Sequence, residues 1–451
     1  MQQFPANVRT IIKKLQDAGY EAYAVGGCVR DSVLGRVPND WDITTNALPE
    51  QVKKLFRRTI DVGIEHGTVK VMIGNDGYEI TTYRIDGAYE DNRHPKEVTF
   101  TPDLREDLRR RDFTINAMAS SEKTGLVDLF GGLDDLKNRV IRAVGDPYER
   151  FDEDALRILR ALRFSAVFDF DIEEGTKKAI KDLAGNLANI SAERIRQELE
   201  KLICSDHPGR LRDAYDLGVT KVIFPEWDMM TECEQETPHH FTNVGDHTIA
   251  ALEYIVKNFP DLDEKDDRIL RIATVLHDIA KPAKKFRGED GADHFTGHPA
   301  EGVAMAENFL RRLKYDNDTI KRVKKLVRYH DDTPKLTYPR VRRFIVDVEV
   351  SNMDNLMRLK YADLYAHTDY MFEEKLGKIE TLDKMYGEIM KNNDCLSIGS
   401  LAVGGSDLIA MGIPAGPAIG KALSELLEAV LDDPLLNDRE KLLDRVRRIT
   451  E

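Results

Sequence analysis

Apolar residues over 8–18 recur at intervals of three and four, which predicts an amphipathic helix. The period then shortens and changes quickly. It predicts a strand over 21–25, a helix over 28–34, a strand over 40–44, a helix over 49–56, and strands over 68–73 and 78–83. From residue 150 the longer spacing returns and persists, through Leu156, Leu159, Leu162 and Phe164 and again through Ile195, Leu199 and Leu202. The expected fold class is an α+β N-terminal head, a small mixed sheet with helices, followed by an all-α body. Residues 226–243, flanked by Pro225 and containing Pro238, His239 and His240, are expected to form a loop between two helical units. Near the end, Gly404-Gly405 and the glycines of 412–416 mark turns, and helices are expected over 421–430 and 439–449.

A chain of 451 residues exceeds the roughly 250 to 300 that one hydrophobic core sustains, so several packed units are expected. No run of about 18 apolar residues occurs, so neither a membrane span nor a membrane partner is expected. The first residues lack the basic and apolar pattern of a secretory signal, which points to the cytoplasm. Cys28, Cys204, Cys233 and Cys395 are too scattered for a disulfide framework and are expected to be reduced. A net charge of −14 argues against a polyanionic partner, because affinity for RNA comes largely from neutralised phosphates. Basic clusters at 109–111, at Arg157, Arg160 and Arg163, at 321–328 and at 340–343 weaken that objection, since an acidic average can conceal a basic cleft.

Asp40 and Asp42 flank Trp41 on a predicted strand, whose period of two puts both carboxylates on one face, about 7 Å apart. Such a pair can share divalent cations, and charge neutralisation by cations is most of what phosphoryl transfer requires. An Asp-x-Asp alone is better explained as a solvated strand end. The set gains meaning from Gly26-Gly27 upstream, where the absence of a side chain lets phosphate approach the backbone at a helix start. Arg30 can fork onto phosphate oxygens there.

Gly-Gly-Cys-Val-Arg-Asp at 26–31 with Asp40-Trp41-Asp42, and Arg-Arg-Asp-Phe-Thr-Ile-Asn-Ala at 110–117, resemble the first two motifs of the class II tRNA nucleotidyltransferases and bacterial poly(A) polymerases. Three further pieces follow in that family's order: Asp128-Leu129 to Gly132 with Asp134-Asp135-Leu136, then Glu153-Asp154-Ala155-Leu156-Arg157, then residues 191–199. The resemblance covers about the first half of the chain. It implies that Gly27 and Arg30 contact a nucleotide triphosphate, that Asp40 and Asp42 are the catalytic Mg2+ ligands, and that Arg111 binds the incoming nucleotide. Asp112 and Asn116 would order the sugar side, and Glu79 is a candidate third metal ligand.

Asp154 and Arg157 stand three apart in a helical pattern, which predicts side chains lying side by side. A carboxylate and a guanidinium so placed can read the amine and ring acceptors of CTP and ATP and leave UTP and GTP mispaired. In the family resembled, this pair replaces a nucleic acid template. Arg160 and Arg163 continue the stripe and would face phosphates. The bland alternative is a set of surface ion pairs on an amphipathic helix. The polar loop over 86–95 is similar to the family's flexible loop, which is linked to switching from CTP to ATP.

His277-Asp278 ends the apolar run 269–276, with His247 upstream and Asp363 downstream. This order resembles an HD metal-dependent phosphohydrolase domain, and His298 and His330 stand where a binuclear member would place a second metal. Imidazole and carboxylate ligands suit a divalent transition metal and the hydrolysis of a phosphoester. Pro282 is expected to end the helix and leave the ligands at its mouth. The competing reading is a vestigial fold that spaces RNA-binding parts.

The expected organisation is a nucleotidyltransferase head over 1–145, a neck and body with the templating helix over 146–230, an HD domain over 231–370 and a helical tRNA-binding tail over 371–451. The expected function is addition of CCA to the 3′ end of tRNA from CTP and ATP, with no protein partner implied. The alternatives are a poly(A) polymerase, or an HD phosphodiesterase or phosphatase whose head is not catalytic.

Overall fold

The computed structural model describes residues 4–87, 89–90, 94–95, 98–239 and 242–450. The chain divides into two compact units, Met1–Pro225 and Glu226–Glu451.

In the first unit, α1 (Ala6–Asp17) buries Val8, Ile11, Ile12 and Leu15, the stripe its periodicity predicts. It leads into β1 (Ala22–Val25), buried along its whole length, then α2 (Gly27–Val33) and β2 (Asp42–Thr45). After α3 (Pro49–Leu55) come β3 (Thr59–Gly63), β4 (Thr68–Ile73) and β5 (Asp76–Thr82). Two short ribbons follow, in which β6 (Arg84–Asp86) pairs with β9 (Val98–Phe100) and β7 (Tyr89–Glu90) with β8 (His94–Pro95). The expected polar loop falls in this region, and its residues 88 and 91–93 lie outside the described residues. Next come α4 (Leu104–Arg109), β10 (Met118–Ser121), β11 (Gly125–Asp128) and α5 (Gly132–Asn138). The seven-stranded sheet runs β11-β10-β1-β2-β5-β4-β3, with β2 and β5 parallel and every other neighbouring pair antiparallel.

The strand expected over 40–44 begins only at Asp42, so Asp40 lies in the approach to it. The reason is register. Asp42 pairs with Val25, the last residue of β1, and Gly26 then turns the chain away at φ 82°, leaving Asp40 no strand to pair with. Gly26 is fixed twice over, because its φ disfavours any other residue and a Cβ would sit 3.0 Å from the Arg111 Nη1.

The neck comprises α6 (Pro147–Glu153), α7 (Leu156–Phe168), α8 (Glu174–Leu183), α9 (Ala192–Ile203), α10 (Leu211–Asp216) and α11 (Thr220–Ile223). It is not purely helical, since β12 (Val140–Ile141) and β13 (Asp171–Ile172) form a small parallel pair. Guanidiniums fasten it to the head: Arg150 donates to the Arg109 carbonyl at 3.1 Å and Arg157 to that of Arg110 at 2.9 Å.

The loop expected over 226–243 is helical at its start, where α12 (Pro225–Thr231) buries Trp227 and Met230. Proline at the first position of a helix loses nothing, because that N–H has no intrahelical partner. Residues 240 and 241 lie outside the described residues. The second unit continues with α13 (Val244–Asn258), α14 (Glu264–Leu276) and α15 (Lys281–Lys284), then a ribbon of β14 (Phe286–Arg287) and β15 (Asp293–His294). Then come α16 (His298–Arg312), α17 (Asn317–Tyr329), α18 (Tyr338–Val348), α19 (Val350–Tyr365) and α20 (Phe372–Lys391). Helix α14 is buried on every side from Ile269 to Leu276, so the residues at its end open into the interior. The last helices are α21 (Gly405–Ala410), α22 (Pro417–Asp432) and α23 (Arg439–Thr450), packed around Leu408, Leu426, Val430 and Leu442. A buried Arg342–Asp394 pair at 2.6 Å ties α18 to this cluster. Among the described residues no helix is long and apolar enough to cross a membrane.

Candidate functional site

Two sites emerge, one in each unit. In the first, β2 and β5 run parallel with Ile43 opposite Ile80, which brings Glu79 alongside Asp42. Burial raises the Asp42 pKa, and Glu79 and Asp40 raise it further while Arg111 opposes them. Asp40 and Glu79 thus both act on Asp42, Glu79 while also pairing with Lys70 at 3.4 Å, and an acidic group of this kind suits divalent cations. The strand period that predicted one face for Asp40 and Asp42 does not apply, because Asp40 precedes the strand; the fields of both side chains converge nonetheless.

Above the carboxylates runs a chain of buried polar contacts. Arg30 donates to Asp31 at 2.8 Å and to the Asn116 Oδ1 at 2.6 Å, and its guanidinium lies 4.6 Å from the Phe168 ring centroid. The Asn116 amide donates to Asp112 at 3.1 Å, and Asp112 also accepts two bonds from Arg160, at 2.8 and 2.6 Å. Burial alone would push the Asp112 pKa up, but Arg160 and Asn116 hold it well below the carboxylate range. Arg111 sits over Gly26, 3.8 Å from the buried Asp107, and burial lowers its pKa against the pull of Asp107 and Asp42. Arg30, Arg111, Asp112, Asn116 and Arg160 are therefore brought together, and Gly27 lies against Arg30.

The expected pairing of Asp154 with Arg157 on one helix is not what forms. Asp154 ends α6 in an extended conformation, φ −141° and ψ 101°, and caps α7 by accepting from the Leu156 N–H at 3.1 Å. Its other oxygen takes Arg194 at 2.8 Å, while Arg157 pairs with Glu153 at 2.6 Å. Aspartate is prone to such local bonds to the backbone, and they break a helix that periodicity alone would continue. Arg163 pairs with Glu198 at 3.1 Å and lines a cavity of about 460 Å3 with Arg30, Arg36 and Lys201. Arg194 and Glu198 received no role in sequence reasoning, although both lie in its fifth motif. The third motif proves architectural: Asp128 accepts from the Gly132 and Leu133 N–H groups at 2.9 Å each, and a Cβ on Gly132 would lie 2.4 Å from the Thr114 carbonyl oxygen.

In the second unit His247, His277, Asp278 and Asp363 place one ligand atom each within 4.8 Å of one another, and Asp278, His298 and His330 do the same. Asp278 belongs to both sets. All four imidazoles are oriented alike, with Nδ1 bonded to a carbonyl, of Ala366, Thr274, Phe295 and Val327 respectively, at 3.2, 2.6, 3.0 and 2.8 Å. A carbonyl only accepts, so Nδ1 carries a proton and Nε2 is the nitrogen turned inward, the one a metal would take once its own proton is displaced. The Nε2 atoms of His298 and His330 face each other at 3.2 Å. Burial would raise Asp278 and Asp363, yet His277 and Lys281 hold the first, and His367, His247 and His277 the second, well below the usual range. Burial would lower His277, yet Asp278 and Asp363 raise it to about 10. This donor set fits two cations that displace protons from the imidazoles. The cavity beside it, about 870 Å3, is also lined by Lys281, Lys375, His239 and His367. Lys281 and His367 adjoin quoted motifs; nothing in the sequence pointed to Lys375.

The chain matches the Poly A polymerase head domain family over residues 22–142 and the family of tRNA nucleotidyltransferase domain 2 over 300–446. It is 35% identical over 463 aligned residues to a CCA-adding enzyme of Limosilactobacillus reuteri, covering 100% of this chain and 99% of that one. It is 56% identical over 197 residues to a CCA-adding enzyme of Leuconostoc mesenteroides, a match spanning 44% of this chain and about half, 49%, of that relative. Among solved structures, the CCA-adding enzyme of Bacillus stearothermophilus in complex with CTP superposes with a TM-score of 0.72 at 28% identity, covering 99% of each chain. With this whole-length similarity, and with the head's acidic strand edge and arginine network in place, the chain belongs to the CCA-adding enzymes, tRNA nucleotidyltransferases that depend on divalent metal.

Proposed function

We propose that the chain builds the CCA end of tRNA from CTP and ATP, one nucleotide at a time, with release of pyrophosphate. The observation that carries this reading is the convergence of Asp42, Asp40 and Glu79 beside Arg111 and the Gly26 turn. Asp40 and Asp42, with Glu79 beside them, would hold Mg2+, which supplies charge neutralisation at the reacting phosphate. Arg30, held by Asn116, and Arg111, 3.8 Å from Asp107, bind and orient the triphosphate; the held Arg30 guanidinium needs no reordering when it arrives. Asp154 and Arg157 select the base, each already held in place, Asp154 by Arg194 and Arg157 by the Arg110 carbonyl. We read the head as 1–145, the templating neck as 146–230, the histidine-rich domain as 231–370 and the tail as 371–451.

The test is incubation with tRNA lacking its last three nucleotides and each labelled nucleotide in turn. Two cytidines followed by one adenosine are expected. A long adenylate ladder would instead make the chain a poly(A) polymerase.

A second reading concerns the second unit, favoured by the four inward-facing Nε2 atoms. It is a metal-dependent phosphohydrolase centre, with His247, His277, Asp278 and Asp363 holding one divalent transition metal and His298 and His330 sharing Asp278 with another. The metal would supply an activated water for attack on a phosphoester; Lys281, 2.6 Å from Asp278, adds positive charge to the same wall. Elemental analysis of the purified protein should find two metals per chain, one in His298→Ala and none in His277→Ala if binding is ordered. No metal in the wild type at any supply would sink this reading.

A further inference from the structure

Helix α17 carries Lys321, Lys324, Lys325 and Arg328 at spacings of three and four, which gather them along one side of the helix. With Arg311 of α16 they surround a groove of about 510 Å3. Its floor is apolar and aromatic, from Val303, Ile320 and Tyr329, and the Lys325 and Arg328 cations lie 5.9 and 5.3 Å from the Tyr329 ring centroid. The carboxylates facing these cations are fewer than the cations. Glu307 serves both Lys324 and Arg311, Glu349 lies 2.8 Å from Lys321 and 3.8 Å from Lys325, and Asp332 takes Arg328 at 2.9 Å. Pairs this exposed contribute about 0 to 1 kcal/mol each, so an incoming anion can displace them.

We propose that this groove binds the phosphate backbone of the tRNA substrate. In a chain of net charge −14, five cations against Glu307, Glu349, Asp332 and the neighbouring Asp347, whose charge reaches Tyr329, form a positive patch of the kind a polyanion seeks. Flexible lysines over an apolar floor recognise charge rather than sequence, which suits the body of an RNA whose sequence varies. The proposal rests on the CCA-addition reading only in taking tRNA as the substrate.

The test measures binding of fluorescent tRNA lacking CCA to full-length protein, over salt from about 50 to about 200 mM, alongside CCA incorporation. In Lys321→Gln/Lys325→Gln the Kd should rise several-fold and the slope of log K against log salt should fall by about 0.7 to 0.9 per lost phosphate contact. The fall in kcat/KM should be carried by the KM for tRNA. Lys321→Arg/Lys325→Arg should restore both affinity and slope. Glu349→Gln, which frees the same lysines, should tighten binding. If the double glutamine variant melts at lower temperature, Arg311→Gln/Arg328→Gln gives the same readout from the other wall. Unchanged Kd and slope in a folded variant would overturn the proposal and leave an acidic protein as the better occupant. Failure of the wild type to add CCA would instead count against the CCA-addition reading, since tRNA binding is measured separately.

Discussion

The two sites are built in opposite ways. In the first unit Asp42 feels the charge of Asp40 and Glu79 at the rim of a sheet, while Arg30 and Arg160 are held in buried networks, Arg30 to Asn116 and Arg160 to Asp112. In the second unit the cation ligands themselves are locked: four imidazoles with carbonyl-bonded Nδ1 converge on two buried carboxylates. In the proposed reading the first site would be preorganised for the triphosphate by its buried arginine contacts. In the second-unit reading proposed above, the donor set would be preorganised for resident metal, with a cavity of about 870 Å3 beside it.

The sharpest way to break this comparison is a double dissociation. Asp42→Ala should lower nucleotide incorporation by at least about 1,000-fold, the scale of losing an electrostatic group at a phosphoryl centre. It should leave intact any hydrolysis of a chromogenic phosphodiester by the second unit. His277→Ala should abolish that hydrolysis and spare incorporation. If either substitution silenced both activities, the two sites would not be independent.

Next in size is a stability effect confined to the first unit. Asp107 is fully buried, accepts from Arg110 at 2.7 Å and from Thr44 at 3.0 Å, and lies 3.8 Å from Arg111. Burial raises its pKa, but Arg110 and Arg111 prevail and the net shift is downward. A depressed carboxylate stabilises the fold above the unfolded pKa of about 3.9, and that contribution is lost as pH falls through the folded value. Asp107→Asn should therefore cost about 3 to 5 kcal/mol in urea unfolding at pH 7, the price of uncoupling one partner of a buried pair. The gap from wild type should close as pH falls below about 4. A gap independent of pH would assign the loss to packing instead.

How much of this was legible in the sequence follows from the range of the interactions. Strands β1, β2, β4 and β5 of the head and the buried stripe of α1 were readable because alternation and helical spacing are local, whereas β3, β10 and β11 were not read. The late start of β2 was not readable, because it depends on where β1 stops; Glu79 entered as a candidate third metal ligand only through the family resemblance, because its place beside Asp42 needs the register of β5. His247 and Asp363, 116 positions apart and bonded at 2.9 Å, are beyond any periodicity; only the order of the motif joined them. Asp154 shows the reverse failure, a local Asx bond ending a helix inside an unbroken apolar pattern.

That break also sharpens the comparison at its finest scale. A base-reading pair is worth about 1 to 3 kcal/mol, so Asp154→Ala should cut discrimination between CTP or ATP and UTP or GTP by about 10- to 100-fold before it removes catalysis. Unaltered discrimination would remove Asp154 from the template.

The smallest effect should come from Arg194, which reaches no nucleotide in this reading but holds the Asp154 carboxylate from α9 at 2.8 Å. With both groups about one-fifth exposed, the pair sits between a surface ion pair and a buried one, at side-chain accessibilities of 24% and 19%. Its value should lie near 1 kcal/mol. Arg194→Gln should therefore relax base choice by only about 3- to 10-fold, while Arg194→Lys retains most of it, and the double variant with Asp154→Ala should be no more permissive than Asp154→Ala alone. Additive losses in that double variant would mean that Arg194 reads the base itself. Non-additive losses would mean that selection in the first unit depends on one group holding another still.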